Sequence, residues 1–202
     1  MRRQSELTNQ VREVGLDAFR IVSRMRYVAL LRGINVGGST LVKMAELRAC
    51  VEELGFSDVS TFIASGNVLF EGDKDDPARL ESTIECALEQ RFRLPLKVVV
   101  LDRAAYGRIA RAIPKEWVGD ASVRANVAFV RRGTDAKKIV RELRPDPEVE
   151  QVKAVNGAIL WATRRDALNQ SVMRKLIGGA AYKELTVRNV NTTLKLQELL
   201  AA

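Results

Sequence analysis

"VSTFIASGNVLFE", residues 59–71, decides how this chain is organised. Two runs of β-branched and aromatic residues flank Ser65-Gly66-Asn67. Such runs favour strands, and a Gly-Asn pair between them signals a tight hairpin. Gly66 supplies a left-handed backbone at the turn, and Asn67 tolerates one. What lies on either side of this hairpin then sets the architecture.

Upstream, "RYVALLRG" (26–33) is a compact apolar run, read as a buried strand. "VKMAELRACVEELG" (42–55) spaces Met44, Leu47, Val51 and Leu54 by three and four, which is one face of a helix that Gly55 stops. Downstream, residues 76–92 open with Asp76 as cap and Pro77 as first helical residue. Leu80, Ile84, Leu88 and Phe92 form the buried stripe of that helix, and "LKVVVLD" (96–102) reads as a strand. The order is β-α-β-β-α-β, that of a ferredoxin-like plait.

The order recurs in the second half. Asp102 caps a helix expected to run through Ile113, which Pro114 ends. "RANVAFVR" (124–131) is a strand and residues 135–143 are a helix. "EVEQVKAV" and "AILWATR" are strands around Asn156-Gly157, the strongest hairpin signal in the chain. Residues 170–177 form a helix, 183–188 a strand and 190–200 a closing helix. The fold class is therefore α+β: two ferredoxin-like plaits in tandem, with a connecting helix and a C-terminal helix. Residues 1–24 form an N-terminal extension, poorly ordered or a short helix. Residues 25–101 form the first plait, 102–123 the connector, and 124–202 the second plait with its closing helix.

Composition excludes several chemistries. There is no histidine, which removes the commonest general base and the usual zinc ligands. Cys50 and Cys86 lack metal spacing, read as core thiols, and point to the reducing cytoplasm. The acidic stretch Asp73–Asp76 reads as a loop and cap rather than a metal site, so no metal or cofactor is expected. No apolar run approaches the roughly 18 residues of a membrane span. The net charge of +8 is concentrated: residues 102–202 hold 19 basic against 11 acidic side chains. An excess of that kind suits a solvated face or an acidic partner. Trp117 and Trp161 read as packing residues, with stacking of a base by Trp161 the alternative. The basic pairs at 131–132, 137–138 and 164–165 read as solvated, with nucleic-acid phosphate the sharper alternative.

Three pieces carry a resemblance: "YVALLRGINVGG" with "VKMAELR", "ELGFSDVSTFIASGNVLF", and "TVRNVNTTLKL". In this order, from about Met25 to Leu200, they resemble the domain of unknown function 1697 family. The resemblance implies paired α-β plaits and no established reaction. Val190 departs from that pattern, which usually has an aromatic between the two asparagines, and the N-terminal extension departs as well.

The candidate ligand-binding residues come from the same three pieces. Gly33, Gly37 and Gly38 follow a strand and precede a helix, without the Gly-Lys-Ser/Thr end of a P-loop. Such a loop aims backbone N–H groups at an anion, with Lys43 in the next helix. In a plait the first and third strands are central and antiparallel, which brings Arg32 and Asn35 near Ser65 and Asn67. Asn189 or Asn191 caps the last helix, and an anion would bridge Arg188 to Asn189, Asn191 and Thr192. The expected function is recognition of an anionic ligand (a nucleotide, RNA or a phosphorylated metabolite) in one cleft formed by the 32–38 loop, the 65–67 turn and the 188–192 segment. Arg, Asn, Ser and Thr recognise more naturally than they titrate. The alternatives are a histidine- and metal-independent transferase or hydrolase, and a structural or partner-binding protein.

Overall fold

The computed structural model describes residues 24–35 and 41–202. The expectations for residues 1–23, Gly37 and Gly38 lie outside them. Two four-stranded antiparallel sheets form the frame. The first contains β1 (Arg24–Leu31), β2 (Ser57–Phe62), β3 (Asn67–Asp73) and β4 (Val98–Asp102) in the order β2-β3-β1-β4. The second contains β5 (Val123–Val130), β6 (Glu150–Val155), β7 (Ala158–Arg164) and β8 (Leu185–Asn189) in the order β6-β7-β5-β8. In each sheet the first and third strands of that half are central.

Among the described residues six α-helices accompany the sheets: α1 (Met44–Glu52), α2 (Pro77–Phe92), α3 (Arg103–Arg111), α4 (Ala136–Leu143), α5 (Met173–Gly178) and α6 (Val190–Ala201). Their starts follow local chemistry. The side chain of Asp76 accepts from Ala78 N–H, Asp102 from Ala105, Asp135 from Lys137 and Lys138, and Asn189 from Thr192. Each cap satisfies N–H groups that the first turn leaves unpaired. Helix α3 stops at Arg111 rather than Ile113, because the chain straightens ahead of Pro114. Lys43 is the extended residue before α1, not part of its first turn.

Three apolar layers hold these elements. The first packs α1 and α2 on one face of the first sheet through Leu47, Val51, Ile84 and Leu88. The second joins the halves: Val28, Leu30 and Leu69 of the first sheet meet Val127, Phe129 and Leu160 of the second, with α3 and α6 packed among them. Val190 is buried in this shared layer. The Tyr106 ring stacks on Phe129 at 5.3 Å, and its hydroxyl donates to the Thr193 carbonyl of α6. The third covers part of the far face of the second sheet, around Ala128, Val130 and Ile159, with α4 and α5, through Ile139, Met173 and Leu176.

The hairpin of residues 59–71 exists, but its turn lies earlier than expected. Phe62 pairs with Asn67, so the turn is Ile63 to Gly66 and Asn67 is the first residue of β3. The left-handed positions are Ile63 and Gly66, with φ of 51° and 74°. A Cβ on Gly66 would stand 2.7 Å from the Leu31 Cβ, so the turn needs glycine there for space as well as for φ. Cys50 is a core thiol, and burial raises its pKa; Cys86 is exposed, because its helical position faces away from the Leu80-Ile84-Leu88 stripe.

Candidate functional site

Register decides where the expected site residues go. On β8, Thr186 pairs with Phe129 and Arg188 with Val127, so both side chains share the face that meets the first sheet. The Arg188 guanidinium enters that layer. Its Nε donates to the Asn67 side-chain oxygen, Nη1 to the Thr186 hydroxyl and Val187 carbonyl, and Nη2 to the carbonyls of Leu31, Ser65 and Gly66. A guanidinium has five N–H donors, and this network occupies the whole fork. Among the described residues no carboxylate pairs with it. Burial pulls its pKa down to about 10, partly offset by Tyr106 and Tyr182, so the group remains a cation at neutral pH.

The other residues around this knot are also satisfied internally. Asn67 donates to the Phe62 carbonyl and the Ser65 hydroxyl. Asn35, with φ of 56°, bridges Val42 through both N–H and carbonyl and donates to the Ala64 carbonyl. Arg32 donates to the Tyr182 carbonyl, and its guanidinium lies 5.7 Å from the Tyr182 ring centroid. Lys43 pairs with Glu46 at 3.3 Å in the open. Thus Arg32, Asn35, Ser65, Asn67 and Arg188 come together, but they tie loops and sheets to one another.

Asn189 and Asn191 do not line the same cleft. Successive strand residues point to opposite faces, so Asn189 lies opposite Arg188. Asn189 pairs with Asn126, which pairs with Trp161 across β5, and these three share the outer face of the second sheet. Thr192 gives its N–H to the Asn189 cap. The single expected cleft therefore divides into a buried knot and an open groove.

The groove holds about 390 Å³ between the loop before β5 and the start of α6. Trp117, Arg124, Asn126, Arg165, Asn189 and Asn191 are among its lining residues. A second groove of about 380 Å³ is lined by Trp161, Asn169, Ser171 and Arg174. Arg124 and Asn126 line both grooves, because positions 124 and 126 share one face of β5. Among the described residues, Arg124, Arg165 and Arg174 make no ion pair; Arg174 donates only to the Asn169 side chain, at 3.3 Å. Arg164, by contrast, is neutralised by Asp166. The one carboxylate in the first groove, Asp120, accepts from Ser122, and those bonds lower its pKa.

Sequence reasoning raises Arg165 only as half of the 164–165 basic pair and does not single out Arg124, Asn126 or Arg174. The available signal was alternation: Val127 and Phe129 inward require Arg124 and Asn126 on the opposite face. Among the described residues no group of three His, Cys, Asp or Glu side chains is placed to hold a metal ion. No described helix is long and apolar enough to cross a membrane. The buried carboxylate of Glu150 is engaged by Val172 N–H and by the Thr163 and Ser171 hydroxyls, an arrangement that supports the start of α5.

Fold and site define an α+β protein of two antiparallel sheets joined by a buried arginine, with an arginine- and asparagine-lined face left open on the second. The chain belongs to the family of proteins of unknown function DUF1697, whose model matches residues 25–161. It is similar to the solved structure of the conserved bacterial protein SP0830 from Streptococcus pneumoniae, with 26% sequence identity and a TM-score of 0.77. That likeness covers 88% of this chain and 99% of the other. No curated protein matches the chain. The family match spans Arg124 and Asn126 but ends before Arg165, Arg174 and the 188–192 segment.

Proposed function

We propose that the protein binds an anionic, phosphate-bearing ligand, and that the first groove beside α6 is its site. The observation that carries this reading is the pair Arg124 and Arg165, which line one cavity without a carboxylate partner among the described residues. Guanidinium groups present planar forks of donors that match phosphate oxygens. Asn126 and Asn191 add amides that donate and accept, which suits a sugar or a base edge as well as phosphate. The Asn189 cap already uses the Thr192 N–H, so the site rests on side chains rather than on the helix end. The buried knot is the weaker candidate, since an anion there would have to displace bonds that Arg188 already makes.

The test uses Trp117, which lines the groove. Titration with UMP and with inorganic phosphate at low salt should change Trp117 fluorescence in a Trp161→Phe variant. Arg124→Ala should weaken that response at least about tenfold, the scale of one lost charge-assisted contact. A flat titration with both probes sinks the reading.

Two further readings belong with this one. The repeated strand order in both sheets supports a description as tandem ferredoxin-like plaits, the second with a short final crossover helix, α5. The free thiols of Cys50 and Cys86 support a reducing cytoplasmic setting.

A further inference from the structure

We infer that the two grooves form one track for single-stranded nucleic acid, crossing β5 at Arg124 and Asn126. This rests on the anion-binding reading and extends it from one phosphate to a chain of them. Three observations support the extension. Arg124 and Asn126 are common to both linings, so the grooves meet at these two residues. Unpaired arginines are distributed along the path: Arg165 in the first groove, Arg124 at the crossing and Arg174 in the second. Among the described residues the only acid in either lining is Asp120, so the path carries a net positive charge.

The form of the track selects the polymer. A concave, positively charged groove follows one flexible backbone, whereas a duplex is read by an element that projects into its groove. An extended peptide adds at the free edge of a sheet, but this path crosses the face of β5, a central strand. Asn126 and Asn191 offer paired donors and acceptors along it, and Asn169 and Asn189, whose oxygens are engaged by Arg174 and Thr192, offer donors. Trp117 and Trp161 line the two grooves but are 6% and 4% exposed, so they give little open face for base stacking. Binding should therefore be carried by the backbone, tolerant of sequence and dependent on salt.

The experiment measures anisotropy of a labelled decauridylate with the full chain, with UMP, an RNA duplex and a polyglutamate as competitors. Arg165→Glu lies in the first groove and Arg174→Glu in the second, and both side chains are exposed, so folding is expected to survive. The expected result is that each substitution weakens decauridylate binding at least about tenfold, while UMP binding responds to Arg165→Glu alone. Log affinity should fall with log salt with a slope of about −2, for three phosphates contacted on a single strand. If Arg174→Glu leaves decauridylate affinity unchanged while Arg165→Glu weakens it, the track is wrong and the one-groove anion reading stands. Loss of both decauridylate and UMP binding in the wild-type protein at low salt defeats both. A duplex that competes better than the single strand, or a polyglutamate that competes equally, overturns the choice of polymer.

Discussion

Arg188 Nε donates to the Asn67 side-chain oxygen at 2.5 Å, linking the edge strand β8 of one sheet to the central strand β3 of the other across 121 residues of sequence. The same guanidinium reaches the carbonyls of Leu31, Ser65 and Gly66, so it closes the end of β1 and the β2–β3 turn together. A buried cation with no carboxylate is stable here because carbonyl and amide dipoles surround it.

Removing this guanidinium should be costly. Arg188→Ala leaves the buried Asn67 side-chain oxygen without its donor and empties the space the guanidinium fills between the sheets, and is expected to destabilise by about 3–5 kcal/mol. Arg188→Lys should recover only part of that, because an ammonium cannot span the same fork. Urea unfolding measures both, and a cycle with Asn67→Ala should give a positive coupling. An Arg188→Ala midpoint close to wild type would show that the knot carries little.

Gly66→Ala tests the hairpin. The new Cβ meets the Leu31 Cβ at 2.7 Å, at a φ of 74°. Backbone strain and overpacking together should cost roughly 2–4 kcal/mol, read as a drop in Tm. Gly33→Ala has a similar φ of 67° but open space around the Cβ, so its loss should be smaller.

The two asparagines at the start of α6 should behave differently. Asn189→Ala removes the bond to Thr192 N–H and should cost about 1 kcal/mol of stability. Asn191 is exposed, so Asn191→Ala should stay within about 0.5 kcal/mol of wild type in stability. If the groove binds UMP, Asn191→Ala should weaken that binding while the unfolding midpoint holds.

Glu81 gives a pH signature. Burial raises its pKa, and the Val100 N–H and Arg131 only partly oppose that. For an acid raised in the folded state, the folded protein binds more protons than the unfolded one between the two pKa values. Stability should then fall as pH rises through that window, just above the ordinary carboxylate range. Glu81→Gln keeps an acceptor for Val100 N–H and should flatten this part of the stability profile. An unchanged profile would remove Glu81 as its cause.

Much of the fold is legible locally. The capping roles of Asp76, Asp102 and Asn189, Pro77 at the head of α2, the Leu80-Ile84-Leu88 stripe and the Asn156-Gly157 turn depend on residues within a few positions of one another. The pairing of β1 with β3, which sets Leu30 opposite Asn67, follows from element order once the hairpin is recognised. The hairpin turn itself was misplaced, because the left-handed Ile63 breaks the expectation that only small or polar residues turn.

The candidate site was legible as a set of residues but not as a place. Arg188 and Asn189 are neighbours in sequence, yet strand alternation sends one into the layer between the sheets and the other to the open face. Composition and periodicity are properties of short windows, so they indicate two α+β halves, their caps and an excess of arginine. Which arginine is consumed in joining the halves, and which are left facing the grooves, depends on contacts more than a hundred residues apart. Such contacts exist only after both sheets have formed and packed: Arg188 meets Leu31, Ser65 and Asn67 there, while Arg124 and Arg165 remain without a carboxylate.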